Sequence, residues 1–254
     1  MSLKRKSQDS TEWIYGIIPV AEALRARRRK VLEVWIVRGG RSARMDGLWE
    51  TTGEAVVHET SRAELDRRYP GGRHQGVVAR VEALPWVSLE TILSREGPLL
   101  LLDGVQDPHN LGAIVRSAVA LGAAGVVVEK RRTAPITPVV AKAASGALEH
   151  VQLCQVSNLP RTMRELKRRG LWMVGTTDRG GIPLWEMDWP GRVALVFGNE
   201  GTGLRPLVRA FSDMWVSIPT RGAVGTLNAS VAAAVVLYEV MRQKGEGEKN
   251  RLTG

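Results

Sequence analysis

Three short stretches hold residue types that could do chemistry together. Asn110-Leu111-Gly112-Ala113-Ile114-Val115-Arg116 carries a carboxamide and a guanidinium. Phe197-Gly198-Asn199-Glu200-Gly201-Thr202-Gly203 sets one carboxylate in a glycine-rich turn. Thr226-Leu227-Asn228 places a hydroxyl and a second carboxamide at the start of a long apolar run. Brought together at one point, these polar and charged side chains would make a shared site. Each residue also has a purely structural role open to it. Asn110 and Asn228 are good helix N-caps, Glu200 can brace its turn, and Arg116 can join a surface salt bridge.

Other chemistries find no support. The loop after Leu102 lacks the G-x-G-x-x-G fingerprint of a dinucleotide site, and GNEGTG has the wrong spacing for it. That disfavours a dehydrogenase. No G-x-x-x-x-G-K-[ST] phosphate loop and no G-x-S-x-G nucleophile turn occurs. The four histidines, His58, His74, His109 and His150, are not paired at metal-ligand spacing, so no metal is expected. Cys154 is the only cysteine, which excludes an internal disulfide. Its apolar neighbours predict a buried thiol rather than a nucleophile.

For the three stretches to meet, they must sit at neighbouring strand ends. From Leu99 the chain alternates strands and helices, and predicts an α/β parallel sheet with helices on both faces. Expected strands are 99–102, 125–128, 151–156, 171–176, 193–197 and 214–218. Expected helices are 111–121, with Asn110 as its cap, then 138–148, 159–169, 203–211 and one opening near Leu227. That last helix is apolar on nearly every side, so it should be buried in a core or against a partner. Ligands of such sheets bind outside the carboxyl ends of the strands, where all three stretches would lie.

The N-terminal part reads as a smaller α/β domain over 13–83. Its expected helices are 17–28, 43–51 and 62–69, and its strands 31–37, 55–58 and 76–81. A linker with one helical turn spans 84–97, the larger domain covers 98–243, and polar tails of 1–12 and 244–254 are expected to be disordered. Thirty-six Lys and Arg against 26 Asp and Glu give a net charge of +10, which favours a polyanionic partner, nucleic acid first. Arg25, Arg27, Arg28, Arg29 and Lys30 make the densest basic run and the first candidate for phosphate contact. The N-terminus lacks the apolar stretch of a signal peptide, and no run reaches the length of a membrane span. A cytoplasmic location is expected.

Taken in order, N-x-G-x-x-x-R, F-G-N-E-G-x-G and the stretch from Ser217 to Val240 resemble the three motifs of the SpoU (TrmH-type) RNA 2′-O-methyltransferases of the SPOUT superfamily. Tyr15-Gly16-Ile17, the run from His74 to Val81 and the run from Leu102 to Asn110 resemble the branch that modifies a guanosine of bacterial large-subunit rRNA. The resemblance spans roughly 13–243. It implies a catalytic α/β fold with a C-terminal trefoil knot, an N-terminal module of the ribosomal L30e type, and a homodimer packed through the knot region. It implies S-adenosyl-L-methionine as cofactor, held near Thr176, Gly198, Ile218 and Leu227. Arg116 would be the central catalytic residue, with Asn110, Glu200, Asn228 and Thr226 around it. Thr226 stands where the family usually has serine, and it keeps the hydroxyl. The alternatives are a tRNA ribose methyltransferase and a non-catalytic RNA-binding protein that kept the fold.

Overall fold

The computed structural model describes residues 11–39, 53–70, 74–223 and 225–252. In chain order the elements are β1 Thr11–Tyr15, α1 Ile17–Ala26, β2 Val31–Val37, β3 Val56–Thr60, α2 Arg62–Arg68 and β4 Val77–Glu82. Then come α3 Leu89–Leu93, β5 Leu99–Leu102, α4 Pro108–Ala120, β6 Gly125–Glu129, α5 Pro138–Ala144, β7 Leu153–Val156, α6 Leu159–Arg168 and β8 Trp172–Thr177. The chain ends with β9 Ile182–Pro183, β10 Val193–Phe197, α7 Pro206–Phe211, β11 Met214–Ser217 and α8 Ala229–Leu252. Two compact units result. Residues 1–85 form the first together with Ile136–His150, and the rest form the second.

The first unit is built on a four-stranded sheet in the order β1-β4-β2-β3. Its centre, β4, is fully buried at Val77, Val78, Ala79 and Val81. Val20, Ala21, Ala23 and Leu24 of α1 are buried as well, the one-sided stripe of an amphipathic helix. The run from His74 to Val81 is structural. Gln75 Oε1 accepts from the Ile17 amide at 3.2 Å, serving the open N-terminus of α1. His74 is buried, takes the Gly76 amide on Nδ1 at 3.0 Å and gives Nε2 to Asp66 at 2.8 Å.

Arg29 and Arg28 correct the expectation of a five-cation phosphate surface. The Arg29 side chain is 2% exposed. Its Nε and Nη2 grip Glu149 at 3.1 and 2.7 Å, while Nη1 reaches Glu12 at 2.9 Å and the Glu82 carbonyl at 3.1 Å. Arg28 donates to the Leu148 carbonyl at 3.2 Å. Both turn toward the segment Ile136–His150: the buried Glu149 carboxylate takes the forked guanidinium of Arg29, and a backbone carbonyl takes Arg28. Only Arg25, Arg27 and Lys30 remain exposed.

The second unit is a seven-stranded sheet in the order β7-β6-β5-β10-β8-β11-β9, parallel throughout. The all-leucine β5 and the run Val193–Phe197 are buried along their whole length, as strands covered on both faces must be. One face carries a core of Ile92, Leu99, Leu101, Val127, Cys154, Met163, Leu166 and Val196. Over the sheet, α4 and α8 pack on one another.

Local differences from the sequence expectation have local causes. Thr11 and Glu12 pair with β4, so the chain is ordered earlier than its polarity suggests. The two-residue β9 is too short to leave a pattern. Asp107, followed by Pro108, opens α4 before Asn110: its carboxylate accepts from the His109 amide at 3.0 Å. Asn110 therefore lies inside the helix and does not cap it. The helix expected from Gly203 starts only at Pro206, because residues 199–203 close a tight turn. Beyond Lys244, α8 continues to Leu252 where a tail was expected. The helix expected at 43–51 lies outside the described residues.

Glu149→Ala would strand a buried guanidinium and should destabilise the protein by about 3–5 kcal/mol, read from the urea midpoint. Replacing both partners, Arg29→Met with Glu149→Leu, should recover most of that loss.

Candidate active site

Because all seven strands run the same way, the loops after β5, β8, β10 and β11 leave one edge of the sheet. Those after β8, β10 and β11 line a pocket of about 580 Å³, a volume suited to a small organic ligand. Its wall includes Thr176, Thr177 and Asp178, the turn Phe197–Leu204, and Ile218 with Thr226, Leu227 and Asn228. Strand order reverses between β5 and β10, and the pocket lies just beside that point, over β10, β8 and β11.

The glycine turn owes its shape to contacts no side chain could permit. Asn199 and Gly203 exchange backbone hydrogen bonds at 3.1 and 3.0 Å. A Cβ on Gly198 would stand 2.4 Å from the Gly203 carbonyl carbon and 2.7 Å from the Leu204 nitrogen, both backbone. Gly203 itself holds φ at 66°, in the left-handed region. Asn199 Nδ2 donates to the Gly104 carbonyl at 2.7 Å, fastening the turn to the loop after β5.

Three polar side chains from distant stretches meet above this turn. Asn110 Nδ2 donates to Glu200 Oε2 at 2.8 Å. Asn228 Nδ2 donates to Asn110 Oδ1 at 2.9 Å and to the same Glu200 oxygen at 3.2 Å. The network fixes which way each amide faces. Asn228 also caps α8, its Oδ1 accepting from the Ser230 amide at 2.9 Å and the Ser230 hydroxyl at 2.6 Å. A cap and a site residue are thus one side chain here, not alternatives.

A second network lies behind the turn, and the motifs did not reveal it. Asp103, 1% exposed at the end of β5, accepts from the Arg205 amide at 2.9 Å and from Arg205 Nε at 2.5 Å. Arg205 Nη2 reaches Glu129 Oε2, at the end of β6, at 2.5 Å. The available hint was position: Asp103 and Glu129 are carboxylates at strand ends, and Arg205 directly follows the glycine turn and Leu204. Asp178 was likewise missed.

The predicted cofactor-contact residues Thr176, Gly198, Ile218 and Leu227 all line the pocket, as do Glu200, Thr226 and Asn228. Thr176 donates its hydroxyl to the Val196 carbonyl at 3.1 Å, so its side-chain oxygen can act only as an acceptor toward anything else. Asn110 reaches the group through its hydrogen bonds. Arg116 does not line the pocket: it lies on the exposed side of α4, about 9 Å along the helix from Asn110. Cys154 is buried and burial pushes its thiol up, which suits a packing role. Among the described residues no cluster of His, Cys, Asp and Glu could hold a metal ion, and no helix is long and apolar enough to cross a membrane.

A parallel sheet with a glycine-turn pocket at its carboxyl edge, preceded by a small α/β unit, defines a class. Residues 97–238 match the SpoU rRNA Methylase family, and residues 13–87 match the family of RNA 2′-O ribose methyltransferase substrate binding domains. The chain belongs to the SpoU rRNA methylase family. It is 41% identical over 238 residues to the 23S rRNA (guanosine-2′-O-)-methyltransferase RlmB of Shewanella oneidensis, covering 91% of this chain and 97% of that one. It is 43% identical over 246 residues to the RlmB of Yersinia pestis, with 92% and 98% covered. Its fold is similar to that of the SpoU methyltransferase AviRb from Streptomyces viridochromogenes, solved in complex with AdoMet. That comparison has a TM-score of 0.79 at 28% identity and covers 96% of this chain and 95% of the other. The A. aeolicus TrmH/SpoU tRNA modifying enzyme matches at a TM-score of 0.55 and 30% identity, over 63% of this chain and 81% of its own.

Gly198→Ala should force the turn open, costing about 1–3 kcal/mol of stability as an overpacked contact and lowering the thermal midpoint.

Proposed function

We propose that this chain is an S-adenosyl-L-methionine-dependent RNA 2′-O-methyltransferase acting on a guanosine of 23S rRNA. The observation that carries the reading is the pocket itself, where Asn110, Glu200 and Asn228 are joined beside the glycine turn. Relatives named for that reaction align over both units, whereas the tRNA modifying enzyme covers 63% of this chain.

The pocket fits the cofactor. Phe197, Val216, Ile218 and Leu227 offer an apolar slot for a purine, backbone groups of the glycine turn can recognise its edge, and Asp178 and Glu200 can take hydroxyl or ammonium groups. When bound, S-adenosyl-L-methionine supplies a methyl group on a sulfonium, open to displacement by an oxygen. The residues of the chain then have to hold the ribose hydroxyl in line and stabilise it as it loses its proton. A guanidinium hardly deprotonates, so Arg116 serves by binding the neighbouring RNA phosphate and balancing oxyanion charge. Glu200 braces the amides of Asn110 and Asn228. Asn228 and Thr226 are placed at the rim to orient substrate.

A homodimer belongs to this reading. Leu227, Val231, Val235, Tyr238 and Met241 are 41, 47, 37, 55 and 41% exposed, one apolar stripe at helical spacing along and just before α8. Burying that stripe against a second copy, with the knot in its C-terminal stretch, would seat α4 and its Arg116 next to the pocket of the partner. Exposed Arg25, Arg27 and Lys30 in the first unit supply RNA phosphate contacts. A cytoplasmic location follows from the substrate.

Labelled S-adenosyl-L-methionine and unmodified 23S rRNA provide the test, with ribose methylation mapped afterwards. Methylation confined to tRNA, or tight binding without transfer, would refute the assignment. Arg116→Ala should lower transfer at least 100-fold with cofactor affinity nearly unchanged. Mixed and reassembled with Gly198→Ala subunits, it should regain up to about a quarter of wild-type activity, since one site in each mixed twofold dimer is whole. Val231→Asp with Val235→Asp should give a monomer in sedimentation.

A further inference from the structure

A second cationic feature lies in the catalytic unit, away from the run at 25–30. The three residues after β6 are Lys130, Arg131 and Arg132, all exposed. Since β6 is parallel to β5 and β5 to β10, this run leaves the same edge of the sheet as the pocket. Two strand spacings separate the ends of β6 and β10, about 10 Å. That distance places the run beside the path of an RNA strand whose ribose enters the pocket.

The run is held rather than loose. The Lys130 amide donates to the Val156 carbonyl at 2.9 Å, the Arg132 amide to the Glu129 carbonyl at 3.1 Å, and the Ala134 amide to the Val105 carbonyl at 3.0 Å. Glu129, which could neutralise the cations, is 7% exposed and turned inward to Arg205 at 2.5 Å. Arg132 approaches it at 3.8 Å with a side chain 55% exposed. Among the described residues no ion pair engages Lys130 or Arg131. A loop whose backbone is already fixed has no backbone entropy left to lose when its side chains meet a phosphate.

The geometry points to Lys130-Arg131-Arg132 as an RNA-phosphate site that guides the strand flanking the modified nucleotide into the pocket. The site rests on the reading that the substrate is RNA. It commits to phosphate contact, which is sequence-independent, and so sets position rather than base choice. Arg205 ties it to the chemistry, because one guanidinium bridges the base of this loop, the end of β5 and the residues after the glycine turn.

The test is binding of in vitro transcribed, unmodified 23S rRNA over a series of salt concentrations. Lys130→Ala with Arg131→Ala should raise the Kd about tenfold near 0.1 M salt and flatten the slope of log K against log salt by about 1.5. Affinity for S-adenosyl-L-methionine, read in the same unit, should be unchanged and reports that the variant is folded. Lys130→Arg with Arg131→Lys should bind RNA like wild type. Arg95→Ala with Arg168→Ala removes the same charge from the amino-terminal edge of the sheet and should leave Kd within twofold. If the two alanine pairs weaken binding equally, or the first has no effect while wild type methylates the rRNA, the site is refuted and the function stands. If wild type neither binds nor methylates rRNA, the functional reading falls and this site with it.

Discussion

The carboxylate of Asp103 is the tie on which the pocket depends. It is buried where β5 ends, and a buried charge must be paired and hydrogen-bonded to persist. Arg205 satisfies it twice, from the side chain and from the backbone. That double attachment fixes the point where the chain leaves the glycine turn. The turn in turn holds Glu200 where two amides can reach it. Rigid strands alone would not do this, since the loops they emit are separated by about 90 residues of sequence between Asn110 and Glu200.

Much of the architecture was readable because the second unit is so regular. Four consecutive leucines, or Val-Ala-Leu-Val-Phe, admit few placements other than a strand buried on both faces. The meeting of the three polar stretches was readable too, from their common position after strands. What escaped was decided by competition between near-equivalent local choices. Asp107 and Asn110 are both good caps; the proline after Asp107 decides in its favour and sends Asn110 into the site. Likewise a glycine-rich stretch before Pro206 could open a helix early or close a turn, and the backbone bonds between Asn199 and Gly203 select the turn.

The first unit illustrates the limit of charge reading. Five cations in a row of six look equivalent as letters. In space they divide, because Arg29 has an inward neighbour, Glu149, which is 120 residues away in the sequence. Composition reports the number of cations and not which of them a distant carboxylate has already claimed. The opposite holds at Lys130 and Arg131, where the nearby Glu129 is engaged elsewhere and the positive charge stays on the surface.

The excursion of Ile136–His150 into the first unit has a covalent consequence. The chain passes between the units three times, near residues 85, 135 and 150, rather than once. No single cut releases the methylase sheet whole and clean. A fragment beginning at Trp86 would retain α5 with Val140, Ala141 and Ala144, residues whose cover lies in the part removed. Evolutionary exchange of the N-terminal module is constrained in the same way, since a replacement must accept that helix and a cation for Glu149 along with it.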